Sequence, residues 1–413
     1  MLKRILLAGA LALATSTSAL VATNDAAHAA CAFENSTPVK SLSAGFEAWK
    51  AMTDAMKECG NVEAELDQEF RKKQPEAFKA NPALYTIGGV SNGTIVPLLN
   101  DDSIRDLDAY VEKYGENLTP NQLIKIDGKT KAVAMMVNAQ HLMYRKDILD
   151  ELGIEVPKTW DEVLAAAAKI KESGKVEYPL GATMKAGWNI AQEFNNMFLG
   201  FGGEFVDGEN KPTINTEAGV KALEKLKEIT QYLDPEYLVS DSTYVQQQFQ
   251  QGKIAMANLW ASRAGAMNDE KESQVVGKVG MAAAPIAMEG GKPATTIWWD
   301  GIVIAKNVSD EEAEAAFRVA LEGMDTEMVT SGSNNDAAVW LIPGYEVGDL
   351  AQGVAQSAGG GAPAYPSSTA MGLMHTAIGN NVADFLTGAK DAEATLKAIE
   401  DEYTTAAKEA GLL

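Results

Sequence analysis

Few residues in this chain have the types and spacing that catalysis needs. It has three histidines, and His28 lies in what reads as a leader. His141 and His375 stand far from each other and from the two cysteines, Cys31 and Cys59. There is no HExxH, no paired CxxC and no histidine cluster, so no transition-metal site is expected. No Walker phosphate loop occurs. Gly88-Gly89 and Gly359-Gly360-Gly361 read as turn chemistry rather than phosphate cradles. Carboxylates are abundant, at 57, and a hydrolytic pair among them looks no different in one dimension from solvated helix faces. The expectation is a chain without a catalytic constellation and without a metal or other cofactor.

The residues that stand out are aromatic. The stretch TIWWDGIVIA, residues 296–305, sets two of the seven tryptophans side by side and follows them with Asp300 and Gly301. On a strand, neighbouring side chains point to opposite faces. One of Trp298 and Trp299 can therefore be core while the other faces a cleft.

The rest of the chain must position these residues. At 413 residues it exceeds one compact domain, and two are expected. Hydrophobic content of 46% allows a large core. Residues 1–29 read as a secretory signal peptide, with Lys3 and Arg4, an apolar run to Leu20 and Ala27-His28-Ala29 as the cleavage site. A membrane anchor is the alternative, but the run is short for a span. Lipidation at Cys31 is another, although His28 stands where a lipobox wants an apolar residue. A periplasmic location follows. Export to an oxidising compartment and an even count favour a Cys31–Cys59 disulfide over two free thiols.

A net charge of −22 argues against nucleic acid or anionic membranes as partners. Beyond the leader only Arg71, Arg105, Arg145, Arg263 and Arg318 remain, which favours a neutral ligand over an anion held by arginine forks.

Over residues 38–94 the pattern alternates strand, helix and strand, as in a parallel α/β layer. Ligands bind outside the carboxyl ends of such strands. That makes Gly45 and Phe46 one candidate cleft edge, and Ser91 and Asn92 another. Thr159 with Glu162 predicts a capping box, with Trp160 packing the helix entry. Amphipathic helices are expected over 217–232, 310–323 and 391–410.

Between residues 127 and 170, DGKTKAVAM is followed by LMYRKDILDELGIEVPKTWDEVLAAAAKI. This order resembles the extracellular solute-binding proteins of ABC transporters, the sugar-binding group related to maltose-binding protein. FQQGKIAMANLW (249–260), TIWWDGIVIAKNVSDEEAEAAFRVALEGM (296–324) and GAKDAEATLKAIEDEY (388–403) resemble the same family. Arg145 departs from its usual Asn. The resemblance implies an α/β, two-lobed periplasmic binding protein fold with an interlobe cleft and hinge crossings. Lobe 1 would be residues 30–138 plus 301–340, and lobe 2 residues 139–300 plus 341–413. The implied partners are a small carbohydrate and the membrane permease of an ABC importer, with the chain a monomer.

Sugars present apolar C–H faces and hydroxyl edges, so a sugar site wants flat aromatic rings beside polar groups. Trp299 is the expected stacking ring, with Asp300 on hydroxyls and Gly301 letting the backbone approach. Trp298, Trp188 and Trp260 are further platform candidates. Asn138, Gln140 and His141 would supply polar contacts at the earlier crossing. The alternative is a polyol, sugar acid or phosphodiester in the same cleft, with Arg263 as anion grip. An exported polysaccharide-active enzyme is the remote reading.

Overall fold

The computed structural model describes residues 31–413. The leader read at residues 1–29 lies outside the described residues. Among the described residues there are eleven strands: β1 (Val39–Ser43), β2 (Val62–Leu66), β3 (Ile87–Ser91), β4 (Leu123–Ile126), β5 (Lys129–Asn138), β6 (Gln140–Arg145), β7 (Tyr178–Gly181), β8 (Ile254–Trp260), β9 (Val279–Ala282), β10 (Trp298–Ile304) and β11 (Val339–Trp340). They form two sheets. The first runs β11-β5-β10-β3-β1-β2, with β4 on β5, and the second runs β7-β8-β6-β9. β1 is parallel to β2 and β3, as the sequence rhythm predicts, while β10 enters antiparallel between β3 and β5.

Each sheet carries its own apolar core and helices. In the first lobe the helix Glu47–Glu58 buries Trp49, Met52 and Met56, one helical face, against Leu42 and Phe317. In the second lobe the helix Trp160–Ser173 starts at the expected capping box. Thr159 Oγ1 accepts from the Glu162 N–H at 3.1 Å, and the Glu162 carboxylate accepts from the Thr159 N–H at 3.1 Å. Gly174, at φ +66°, ends that helix. The C-terminal helices Thr369–Leu386 and Ala392–Glu409 join the same core through Met374, Ile378, Leu396 and Tyr403.

The chain passes between lobes where polar residues interrupt apolar strands. Asn138 ends β5 in the first sheet, and Gln140 begins β6 in the second. Later Ile297 exchanges backbone hydrogen bonds with Pro363 and Tyr365, and one residue on the chain enters the first sheet as β10. That sheet therefore begins at Trp298, ahead of the boundary expected at Gly301. Gly301 itself is required by strand packing, not by a ligand. A Cβ there would fall 2.2 Å from the Val133 carbonyl oxygen. The register of β10 against β5 shifts at this point, between Asp300 and Gly301.

Cys31 and Cys59 form the expected disulfide, with Cα atoms 4.9 Å apart and 28 residues of separation. It ties the start of the described chain to the end of the helix Glu47–Glu58. Reduction, or Cys59→Ser, is expected to lower the unfolding free energy by about 3 kcal/mol on the loop-entropy scale. Urea denaturation with and without reductant measures this. Recovery of two free thiols from the native, unreduced protein would refute the bridge.

Candidate functional site

A cleft containing about 810 Å³ of space free of protein atoms opens between the lobes. The first lobe contributes Phe46 beyond β1, Ser91 at the end of β3, Asn138 at the end of β5 and Asp300 on β10. The second contributes Trp188 at the start of the helix Trp188–Gly200, Asp241 before the helix Ser242–Gln250, and Trp260, Ser262 and Arg263 around the end of β8. Strand ends and helix starts thus meet here, as the parallel-layer argument anticipates.

Three tryptophans make a corner of this cleft. Trp188 and Trp260 stack with ring centroids 6.3 Å apart, and Trp298 stands edge-on to both at 5.7 and 5.8 Å. Two further rings back them. Tyr365 stacks on Trp298 at 4.0 Å, and His375 on Trp188 at 5.0 Å. His375 Nε2 lies 2.9 Å from the Trp188 carbonyl oxygen. Its Nδ1 lies 2.9 Å from the Tyr365 hydroxyl and 3.0 Å from Asn195 Nδ2. A neutral ring donating from Nε2 and accepting at Nδ1 satisfies all three contacts. Burial agrees, pushing the His375 pKa down to about 4.

The expected roles of the adjacent tryptophans are exchanged. Trp298 and Asp300 share the cleft face of β10. Trp299 points the other way and packs against a first-lobe cluster that includes Val90 and Ile95. The strand period puts alternate residues on one face. Only the tertiary structure sets which parity faces the cleft.

The charged and polar groups around the corner are organised. Asn138 Nδ2 donates to Ser262 Oγ at 3.1 Å, and Asn138 Oδ1 accepts from the Ser262 N–H at 3.3 Å, joining the two lobes. Burial pushes Asp300 up to about 7, while Arg71 and a hydrogen bond from Asn138 pull the other way. Arg71 reaches across from the helix Phe70–Lys79 to lie 4.3 Å over the Trp188 ring. Arg71 lines the cleft, and desolvation there lowers its pKa to about 10, against the pull of Asp300 and Glu69. Lys185 pairs with Asp241 at 3.4 Å. Arg263 packs over Phe46 at 5.7 Å and donates to Gln246 Oε1 at 3.1 Å.

Besides Trp299, four expected contacts do not line the cleft. Gln140 is fully buried behind it, donating to Glu193 at 2.8 Å and to Thr183 Oγ1 at 3.1 Å, and accepting from Asn196. That network continues through Thr296, which accepts from Trp298 Nε1 at 2.8 Å. Gln140 thus stands behind the platform rather than on it. His141 is also fully buried, packed so that a Cβ at Gly353 would meet its ring at 2.2 Å. Asn92 clamps the later crossing, accepting from the Trp299 N–H at 2.8 Å. Gly45 offers its carbonyl to Gln68 and does not reach the cavity.

The sequence reading passes over Arg71 and Ser262 at the cleft, and Tyr365 and His375 behind it. His375 sits on a long apolar helix, a mismatch that could have marked it. The sequence reading also passes over GVSNG, residues 89–93, which has the spacing of a hydrolase nucleophile elbow. Ser91 is no such nucleophile. It lacks the elbow's strained positive φ, its Oγ pairs with Thr94 Oγ1 at 3.2 Å, and neither His141 nor His375 lines the cleft.

Known proteins share this architecture. Over 90% of the chain and 99% of the compared chain, it superposes with a TM-score of 0.80 and 22% identity on an ABC transporter solute-binding protein from Agrobacterium radiobacter K84 in complex with ribitol. Maltose-bound T. maritima MalE3 gives a TM-score of 0.74 at 21% identity, over 89% and 99% of the two chains. In sequence, a probable ABC transporter-binding protein of Deinococcus radiodurans is 28% identical over 284 residues, 65% of this chain and 66% of its own length. A probable amino-acid ABC transporter periplasmic-binding protein of Sinorhizobium fredii is 29% identical over 35% of this chain and 34% of its own length. The chain thus spans about two thirds or less of the curated relatives it matches. The family model of the bacterial extracellular solute-binding proteins matches residues 41–322, which include the whole aromatic corner and Asp300. Two sheets, a cleft where the chain crosses between them and this long match lead to one conclusion: the chain belongs to the bacterial extracellular solute-binding protein family.

Proposed function

We propose that this protein is the periplasmic receptor of an ABC importer, capturing a polyhydroxylated solute of the sugar or polyol type in its interlobe cleft. The observation that carries this reading is the corner of Trp188, Trp260 and Trp298 facing Asn138, Ser91, Ser262 and Asp300. Flat aromatic faces suit C–H surfaces, and the amide, hydroxyl and carboxylate groups suit hydroxyl edges. Similar solved structures with ribitol, D-mannitol, maltose and alpha-D-tagatose bound support it. Hinge closure over the solute would create the form that a membrane permease recognises. The protein acts as a monomer and does no chemistry on what it carries.

A thermal-shift panel beginning with ribitol, D-mannitol and maltose should find a stabilising solute. Against that solute, Trp298→Ala and Trp188→Ala should each weaken binding by about 1–3 kcal/mol in calorimetric titration. Trp299→Ala should lower the melting temperature and leave affinity intact. If Trp299→Ala abolishes binding while Trp298→Ala is silent, the platform has been misassigned.

Asp300 makes a further prediction, because its carboxyl is raised from 3.8 to about 7 in the folded protein. The folded state then holds a proton that the unfolded chain has released. The contribution of this group to stability is complete below about pH 4 and is lost as pH rises towards 7. Asp300→Asn should flatten the fall in melting temperature of the ligand-free protein across that window. An unchanged slope in the variant would refute the assignment.

A further inference from the structure

Arg263 carries an inference about the charge of the solute, and this rests on the reading that the cleft binds polyhydroxylated molecules. The acidic and basic side chains lining the cleft are Glu69, Arg71, Lys185, Asp241, Arg263 and Asp300. As a bare list their charges cancel, but their partners do not divide evenly. Glu69 is held by Lys72, which stands outside the cleft, in a 2.5 Å ion pair. Lys185 pairs with Asp241 at 3.4 Å. Asp241 is further occupied as the cap of the helix Ser242–Gln250, accepting from the Thr243 and Tyr244 N–H groups. Arg71 makes no ion pair among the described residues, but it is exposed, lies over the Trp188 ring and has Asp300 and Glu69 as electrostatic partners. Arg263 is the buried cation of the cleft.

Arg263 is only 8% exposed and makes no ion pair among the described residues. Asp241 and Glu47 favour its charge from farther off, and burial lowers its pKa to about 10. A shortage of acids does not explain this, since the chain has 57 acidic and 35 basic residues. Two other arginines do meet carboxylates, Arg105 with Asp310 and Arg145 with Asp147, each at 2.6 Å. Beside Arg263 stands instead a neutral amide, Gln246. Its orientation is set by its own donation to Gln250 Oε1 at 3.3 Å, so its oxygen faces the guanidinium. The amide fixes the fork and leaves its charge uncompensated. A buried cation costs free energy until an anion meets it, and a guanidinium meets carboxylate or phosphate oxygens through parallel N–H bonds.

We propose that Arg263 is the anion-binding residue of the cleft, and that the solute is a polyhydroxylated molecule bearing one anionic group, a carboxylate or a phosphate. The body of the solute lies against the tryptophan corner, and its anionic group lies against the free edge of the Arg263 fork.

Calorimetric titration with matched pairs tests this: D-gluconate against D-glucitol, D-galacturonate against D-galactose, and glycerol 3-phosphate against glycerol. In at least one pair the wild-type protein should prefer the anion by about tenfold or more, the scale of one charge-assisted hydrogen bond. The pair that responds identifies carboxylate or phosphate. Arg263→Gln should bring that ratio close to one, and Arg263→Lys should keep part of it. Gln246→Glu should also erase the preference while leaving Arg263 in place, because it supplies the missing carboxylate internally. That variant carries the test if Arg263→Gln does not fold. Equal or tighter binding of the neutral members would keep the sugar or polyol reading and sink the charge assignment. Anion preference surviving both Arg263→Gln and Gln246→Glu would also overturn it. Failure of every pair to bind would overturn both readings.

Discussion

Trp298 and Asp300 face the cleft because β10 alternates its side chains while it is wedged, antiparallel, between β3 and β5. The rest of the site depends on that parity. The register shift after Asp300 is possible because Gly301 has no side chain to collide with the β5 backbone. A one-residue slip would turn Trp299 into the cleft and drive Trp298 and Asp300 into the first-lobe core. Asn92 guards against that slip by accepting from the Trp299 N–H, where the strand enters the sheet.

Behind the strand, buried polar groups hold the rings in place. From Trp298, hydrogen bonds run through Thr296 and Asn196 to Gln140 and the buried Glu193. From Trp188, His375 connects to Tyr365, which in turn backs Trp298. Such networks are costly when half-satisfied and rigid when complete. They explain why Gln140 and His375 are buried among apolar residues without touching the cleft. They also preorganise the aromatic corner, which reduces what ordering would cost when a solute binds.

Charge is distributed by position rather than by total. The chain carries −22, yet its cleft holds three cations, two of them arginines kept close to Trp188 and Phe46. The same burial that raises Asp300 lowers Arg71 and Arg263. Desolvation thus weakens these three charges until a partner of the right sign arrives.

The strand–helix rhythm of residues 38–94, the Thr159–Glu162 capping box and the amphipathic helices were legible in the sequence because each depends on neighbours within a few residues. The pairing of Cys31 with Cys59 was legible as well, since two cysteines in an exported chain leave one pairing. Ser91 could be named as a cleft candidate because strand ends face clefts in parallel sheets, Asn138 because it lies at a crossing, and the tryptophans because a sugar site wants flat rings. What the chain alone could not decide was which way a side chain points once strands pair. The pattern WWD is compatible with either parity, and it was the neighbours β3 and β5, more than 150 residues earlier in the chain, that chose Trp298 over Trp299. Likewise Gln140 and His141 looked like cleft residues from their place at a crossing, yet packing against Glu193 and Gly353 buried them. Arg71, Tyr365 and His375 escaped notice because only folding brings residues so far apart along the chain around one ring, Trp188 or its neighbour Trp298. Local chemistry along the chain determined the elements and the family; long-range packing, which no local pattern encodes, decided which side chains meet the solute.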